Sequence, residues 1–221
     1  MRGRFITFEG GEGSGKSTHA KRLAEKLKSL GLEVVLTREP GGSPGAEIIR
    51  HILLSGAAKP LGAETETILF AAARDDHVRQ VIRPALLAGK WVVCDRFIDS
   101  TRVYQGVLGN VDQKLIRGLE RVTVGAAMPD LTLVLDVPAN VGLARATRRR
   151  SNHAVDRFEG ETLEFHEDLR RAYRANAQEE PRRIVVIDGR PPRDVVAERI
   201  WMAVSERLHP DRARVAESAA P

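Results

Sequence analysis

The chain has 221 residues, of which 42% are hydrophobic and 29% are charged. These fractions are close to the averages of folded globular proteins and exclude a disordered, collagen-like or coiled-coil protein. The 35 basic and 30 acidic side chains give a net charge of +5, which suits nucleic acid, an anionic membrane surface or a phosphorylated small molecule as a partner.

Cys94 is the one cysteine of the chain and lies in the apolar run WVVC, which favours a small buried side chain over a reactive thiol. A single cysteine forms no internal disulfide, so an oxidising compartment is not implied. The N-terminal segment lacks the apolar core of a signal peptide, and no apolar run approaches the roughly 18 residues that span a bilayer. We therefore expect a cytoplasmic protein without a membrane partner.

Short β-rich runs alternate with longer segments of helical periodicity along the chain, which is the pattern of βαβ units in a parallel sheet. The runs are almost continuously aliphatic, as expected of strands that helices cover on both faces. The first helix is predicted between the first two strands and ends at Gly31, a residue suited to a left-handed helix end. The predicted strands are residues 4–9, 33–37, 90–95, 131–137 and 183–187, and the other predicted helices are residues 46–54, 63–79, 112–126, 141–149, 162–179 and 192–208.

No repeat or low-complexity linker divides this pattern, so we expect one domain over residues 1–208. Residues 209–221 have no apolar periodicity and are expected to be disordered. Residues 148–158 are polar and strongly basic between two predicted helices, which is typical of a short lid. The predicted fold is therefore α/β, with a five-stranded parallel sheet flanked by helices and a basic lid.

A glycine-rich motif, G-x-x-x-x-G-K-S, connects the first predicted strand to the first predicted helix. Glycines at such a junction let successive backbone N–H groups face phosphate oxygens, and the following helix adds its positive N-terminus. We expect Lys16 to bridge the β- and γ-phosphates of ATP and Ser17 to coordinate Mg²⁺. The predicted ATP-binding residues are Gly10, Gly11, Glu12, Gly13, Ser14, Gly15, Lys16, Ser17 and Thr18.

Asp95 and Arg96 follow the third predicted strand. Ligands of α/β proteins gather at the carboxyl ends of the strands, so we expect Asp95 beside the glycine-rich loop, where a carboxylate holds the Mg²⁺ hydration shell. An aspartate that merely caps the next turn is the alternative.

Arginines are dense in and beside the predicted lid. A guanidinium binds phosphate oxygens with two parallel hydrogen bonds, so one of these arginines is expected to act on the transferring phosphoryl group. A solvated helix face explains most of the others. The cluster consists of Arg145, Arg148, Arg149, Arg150 and Arg157.

Five further segments complete an ordered set of motifs: TREPGG at 37–42, LFAAAR at 69–74, DRFIDSTRVYQG at 95–106, PDLTLVLD at 129–136 and DRFE at 156–159. With the glycine-rich loop, these segments resemble those of bacterial thymidylate kinases, which are P-loop nucleoside monophosphate kinases, over residues 4–208. TREPGG together with DR…S…YQG is much more specific than the loop, which many unrelated ATPases share.

The resemblance implies that a homodimer transfers the γ-phosphoryl group of MgATP to dTMP. It implies that Phe70 stacks on thymine, that Arg74 contacts the base and the acceptor phosphate, and that Tyr104 disfavours a ribose 2′-hydroxyl. Core packing remains the alternative for Phe70 and Tyr104. The other positions carried over are Arg96, on the acceptor phosphate, Arg38, lining its pocket, Thr101 and Gln105, at or near the base-reading positions, and Glu12, near the 3′-hydroxyl.

Two departures from the family pattern affect the expected site. One subclass has an arginine within the glycine-rich loop, and this loop has none, so the catalytic basic group is expected from the lid. Arg149 is our choice, with Arg148 and Arg150 as rivals. The family commonly has an acid before the arginine that Arg74 matches, where this chain has Ala73.

Three other functions remain open from the residues themselves. The first is a kinase for another nucleoside monophosphate or for a deoxynucleoside. The second is an ATPase switch, which hydrolyses ATP without an acceptor. The third, binding of nucleic acid, has only the basic pI of about 9.7 in its favour, because no reader motif is present. We therefore expect small-molecule partners, ATP and dTMP, and no nucleic acid.

Overall fold

A computed structural model describes residues 2–149 and 160–210, with the side chain of Arg149 left out. Most of the predicted lid and residues 211–221 of the predicted tail lie outside this range. The five strands are β1 (Phe5–Glu9), β2 (Val34–Arg38), β3 (Trp91–Asp95), β4 (Leu131–Asp136) and β5 (Ile184–Asp188). They form one parallel sheet in the order β2-β3-β1-β4-β5, which confirms the predicted fold class.

Helices connect the strands. They are α1 (Lys16–Ser29), α2 (Pro44–Leu54), α3 (Ala63–His77), α4 (Arg83–Leu87), α5 (Ile98–Thr101), α6 (Gln113–Thr123), α7 (Ala139–Arg149), α8 (Leu163–Glu179) and α9 (Arg193–Leu208), with short 3₁₀ turns at Lys59–Leu61 and Gly125–Ala127. Within the two described ranges, no helix combines the length and apolar character needed to cross a bilayer.

Helices cover both faces of the sheet because successive side chains of each strand point to opposite sides. From β1, Ile6 and Phe8 pack with α1 and α9, whereas Phe5 packs on the other face with Val78 and Ile82. Both sets are fully buried, which accounts for the continuous aliphatic runs of the sequence.

Two segments form wide π-helical turns that the hydrophobic periodicity did not predict. The helix predicted over 63–79 runs on from α3 through a π-helical turn, Val78–Ile82, into α4. Pro84 lies in the first turn of α4 and cannot donate a backbone hydrogen bond, so the ladder is interrupted at this point. The second wide segment, Arg102–Leu108, continues α5 in a region where the sequence pattern predicts no helix.

The glycine-rich loop between β1 and α1 packs against the first turns of α7. A Cβ at Gly13 would lie 1.9 Å from the carbonyl oxygen of Gly142, and a Cβ at Gly142 would lie 2.3 Å from that of Glu12. Only glycine fits at either position, so the backbones of the loop and of α7 are in direct contact.

Candidate active site

The carboxyl ends of β1, β2 and β3 open into a cavity of about 250 Å³. Parallel strands place their ligand-binding loops at this edge of a sheet. The cavity brings together most of the predicted site residues, namely Glu12, Gly13, Gly15, Lys16, Ser17, Arg38, Phe70, Arg74, Asp95, Arg96, Thr101, Tyr104 and Gln105.

The glycine-rich loop has the backbone that the motif predicts. Gly10, Gly13 and Gly15 all have positive φ, which only glycine adopts without strain. Lys16 is buried, and its Nζ donates hydrogen bonds to the carbonyl oxygens of Gly10 and Gly11 at 3.0 and 2.8 Å. Burial, followed by the charge of Arg96, lowers the pKa of Lys16. An anion bound in the loop would restore the preference for the charged amine.

Ser17 and Asp95 lie together at the mouth of the cavity. The Ser17 hydroxyl donates to Oδ2 of Asp95 at 2.5 Å, whereas the buried Oδ1 has no hydrogen-bond partner among the described residues. A buried carboxylate oxygen without a partner is costly, and a hydroxyl next to a carboxylate is a donor set that Mg²⁺ accepts. These two residues therefore fit the predicted magnesium ion.

Arg96 projects from an unusual backbone position into the cavity. Its φ is 66°, in the left-handed region, and its carbonyl oxygen accepts a bond from the thiol of Cys94. Nη2 of the guanidinium donates to Glu12 of the glycine-rich loop, and the guanidinium carbon lies 5.2 Å from the centre of the Tyr104 ring. Arg96 thus contacts both the glycine-rich loop and Tyr104 on the opposite wall of the cavity.

A buried carboxylate, Glu9, lies behind Arg96 at the end of β1. Its Oε1 accepts hydrogen bonds from the backbone N–H groups of Phe97 and Ser100, and its Oε2 accepts from the hydroxyls of Ser100 and Tyr173. Burial, followed by the charge of Asp99, raises the pKa of the Glu9 carboxyl to about 7. Glu9 therefore caps the first turn of α5 from a distant strand.

Arg74 is held by a second buried network. Its Nε donates to Oε2 of Glu39 at 2.8 Å, and its Nη2 donates to the hydroxyl of Thr101 at 2.9 Å. The other oxygen of Glu39 is 3.0 Å from Nδ1 of His77, and Nε2 of that ring is 2.7 Å from the Thr37 hydroxyl. The TREPGG segment thus holds the guanidinium of Arg74, on α3, at the cavity wall.

The remaining predicted acceptor residues line the same cavity. Phe70 is half-buried on α3, and Thr101, Tyr104 and Gln105 are buried on the wide helix that follows β3. Arg38 is more exposed and pairs with Glu47 of α2. A half-buried ring facing a cavity is available for stacking, which argues against Phe70 as a simple core residue.

The two members of the arginine cluster whose side chains the structure describes, Arg145 and Arg148, do not line this cavity. Arg145 donates to the backbone carbonyl oxygens of Gly189 and Arg190, which follow β5, and Arg148 is exposed near the end of α7. The other members, the Arg149 side chain, Arg150 and Arg157, lie outside the described residues.

Sequence reasoning missed Glu9, Glu39, His77, Ser100 and Tyr173. For Glu9, a usable signal was present, because an acid ends the otherwise apolar strand directly before the glycine-rich loop. Glu39 and Ser100 lie within the TREPGG and DRFIDSTRVYQG segments, although the motifs alone gave them no role. His77 and Tyr173 carried no separate signal, since their partners lie far away in the sequence. The cavity also contains Arg50, which donates to the Pro40 carbonyl oxygen at 2.5 Å.

The parallel sheet, the glycine-rich loop between β1 and α1, and a cavity in which this loop faces four arginines define a P-loop kinase with a phosphorylated acceptor. The family model described as thymidylate kinase matches residues 8–200. The chain belongs to the thymidylate kinase family, as the sequence motifs predicted.

Similar proteins support the same assignment. A thymidylate kinase of Bradyrhizobium diazoefficiens is 59% identical over 214 residues, covering 97% of this chain and 94% of that protein. One from Nitrobacter winogradskyi is 62% identical over 207 residues, covering 94% of this chain and 90% of that protein. The crystal structure of the thymidylate kinase from Ehrlichia chaffeensis superposes with a TM-score of 0.73 at 33% identity, covering 92% of this chain and 99% of that chain.

Proposed function

We propose that this protein transfers the γ-phosphoryl group of MgATP to dTMP, giving dTDP and ADP. The observation that carries the proposal is the shared cavity, in which Lys16 of the glycine-rich loop faces Arg38, Arg74 and Arg96. A donor site and an acceptor phosphate site within one small cavity suit direct transfer between two phosphates. Membership of the thymidylate kinase family supports dTMP as the acceptor.

The proposed chemistry needs alignment and charge neutralisation and no general base. The acceptor is a phosphate monoester with a second pKa of about 6, so its attacking oxygen is already ionised at neutral pH. Lys16 exchanges its two carbonyl partners for oxygens of the β- and γ-phosphates, and Arg96 holds the acceptor phosphate. Mg²⁺, held through Ser17 and Asp95, neutralises charge on the donor phosphates when bound.

The proposed acceptor contacts follow from the cavity walls. Phe70 stacks on the base, Thr101 and Gln105 read its polar edge, and Tyr104 packs against the sugar, as the resemblance implies. The thymidylate kinase pattern also supports a lid arginine that acts on the transferring group, and Arg149 remains our choice. Alanine variants at positions 148, 149 and 150 distinguish the three rivals. Replacing the arginine that acts on the transferring group should lower kcat much more than it lowers the affinity for dTMP.

A coupled ADP-release assay tests the function, with dTMP, dUMP, UMP, dCMP and AMP as acceptors. We expect dTMP to give the highest kcat/KM and to be consumed in equal amount with ATP. Another preferred monophosphate would overturn the acceptor assignment. ADP release that is independent of every acceptor would instead indicate an ATPase switch.

We also propose a cytoplasmic homodimer. Helices α2, α3 and α6 pack side by side and carry large exposed apolar side chains, among them Ile48, Ile68 and Val122. Light scattering after gel filtration tests the assembly. We expect Ile48→Glu to give a monomer, and Met202→Glu, at an equally exposed position of α9, to leave the dimer intact. A monomeric wild-type protein would contradict the proposal.

A further inference from the structure

Tyr173 extends from α8 to Arg96, the arginine that we propose for the acceptor phosphate. Its ring is almost completely buried, and its hydroxyl lies 3.0 Å from Oε2 of Glu9, 2.9 Å from the hydroxyl of Ser100 and 3.4 Å from Nη1 of Arg96. The Ser100 hydroxyl is 3.3 Å from the same Nη1. Two hydroxyls therefore meet one nitrogen of the guanidinium.

The chemistry of Glu9 fixes the direction of these hydrogen bonds. An ionised carboxylate only accepts, and Oε2 receives the hydroxyl hydrogens of both Ser100 and Tyr173. Each hydroxyl oxygen then has lone pairs left for the guanidinium of Arg96, which only donates. Oε1 is already occupied by two backbone N–H groups, so the carboxylate is held in place and cannot rotate freely.

The opposite side of the guanidinium is bound to a different part of the site. There Nη2 of Arg96 donates to Glu12, which belongs to the glycine-rich loop. If the hydroxyl contacts were removed, Glu12 and the Tyr104 ring would be left to determine the direction of the guanidinium. A substrate phosphate that competes for Nη2 would then meet an arginine free to turn away from the acceptor position.

We propose that Tyr173 is a positioning residue, which together with Ser100 and Glu9 directs Arg96 toward the acceptor phosphate. The inference rests on the proposed function, since it gives Arg96 the acceptor phosphate as its ligand. Tyr173 itself does not line the cavity, so its effect on substrate passes through Arg96.

A double-mutant cycle tests the inference with wild type, Tyr173→Phe, Arg96→Lys and the double variant, assayed at pH 8, where Glu9 is ionised. Phenylalanine keeps the buried ring and removes the hydroxyl alone. We expect Tyr173→Phe to raise the KM for dTMP roughly tenfold, as for a lost hydrogen bond to a charged group, and to leave the KM for ATP within about twofold. In the Arg96→Lys background the same change should alter the dTMP KM by less than about twofold.

Thr123→Val is the matched control, because Thr123 is also buried but its hydroxyl bonds, among the described residues, only to the Leu119 carbonyl oxygen of its own helix. It should leave both KM values unchanged. An equal effect of Tyr173→Phe in both arginine backgrounds, or a fall in thermal stability with unchanged KM values, would show that the hydroxyl only satisfies the core. Wild-type protein that does not phosphorylate dTMP would refute the proposed function instead, so the two failures are distinguishable.

Discussion

Arg74 and Glu39 form an ion pair inside the protein, with Nε 2.8 Å from Oε2 and side chains that are only 3% and 4% exposed. Removing one charge of such a pair leaves the other buried without compensation, which costs more than the pair itself contributes. The pair therefore links the stability of the fold to the geometry of the cavity that we propose as the acceptor pocket.

Glu39→Gln is expected to lower the free energy of unfolding by about 3 kcal/mol, because the guanidinium of Arg74 then stays buried beside a neutral amide. Urea denaturation measures the change. Glu33→Gln is the control, since Glu33 pairs with Lys90 at the exposed surface and should cost less than about 1 kcal/mol. Equal losses for the two variants would contradict the special cost of the buried pair.

Glu9 should make stability depend on pH near neutrality. Its folded-state pKa, about 7, lies above the ordinary value of 4.5, so the folded protein binds this proton more tightly than the unfolded chain. The resulting stabilisation is complete below pH 4.5 and is lost as the pH rises through 7. Compared with Glu9→Gln, the wild type should therefore lose up to about 3 kcal/mol between pH 4.5 and 8.

Denaturation curves of both proteins at pH 5, 6, 7 and 8 measure this difference in the free energy of unfolding. Groups that titrate in both proteins contribute equally to the two values and cancel from the difference. A constant difference across that range would show that Glu9 is ionised throughout.

Lys16→Ala should keep the fold and lower kcat at least about a hundredfold, the usual effect of removing one group that stabilises transition-state charge. Within the part of the chain that the structure describes, the lysine bonds only to two carbonyl oxygens of its own loop, so little structure depends on it. Lys21→Ala, on the exposed face of the same helix, should retain full turnover. Near wild-type kcat in Lys16→Ala would refute the assigned role.

Tyr104→Ala should narrow the ratio of kcat/KM for dTMP over ribo-TMP by about tenfold or more. A ring against C2′ desolvates a 2′-hydroxyl without offering it a partner, at about 1–3 kcal/mol, and each 1.4 kcal/mol is a factor of about ten. Tyr104→Phe keeps the ring and should keep the ratio. General damage lowers both kcat/KM values together, so an unchanged ratio in a folded alanine variant would place sugar selection elsewhere.

Gly142→Ala should raise the KM for ATP several-fold, although alanine favours a helix over glycine by about 1 kcal/mol. The added methyl group would lie 2.3 Å from the Glu12 carbonyl oxygen, so the glycine-rich loop must shift. Gly118→Ala is the matched control on α6, where no described residue has an atom within 4 Å of the new methyl group. That control should gain stability and keep its KM, and identical behaviour of the two variants would contradict the contact.

The strands were predicted to within about one residue, because continuous aliphatic runs have one stable place in an α/β protein, between two layers of helices. The glycine-rich loop was equally readable, since its chemistry lies in consecutive residues. The wide turn at Val78–Ile82 could not be predicted, because a π-helical turn changes the hydrogen bonding of the backbone without changing the hydrophobic pattern.

The supporting residues of the site could not be predicted for a different reason. Glu39 meets Arg74 across 35 residues, and Tyr173 meets Glu9 across 164. Periodicity places each of these side chains on a face of its own element. It carries no information about which polar group of another element lies opposite.

The capping of α5 by Glu9 makes the proposed acceptor pocket depend on the docking of distant segments of the chain. Its partners Phe97, Ser100 and Tyr173 come from two segments that meet β1 only when β3 and α8 have docked, and contacts this distant carry a large loop-closure cost. Without the docking of either segment, the cap on α5 at the proposed acceptor pocket is incomplete. Nucleotide bound there selects the fully native state and raises the apparent melting temperature in proportion to the logarithm of its concentration, so the substrate itself reports on the integrity of the sheet.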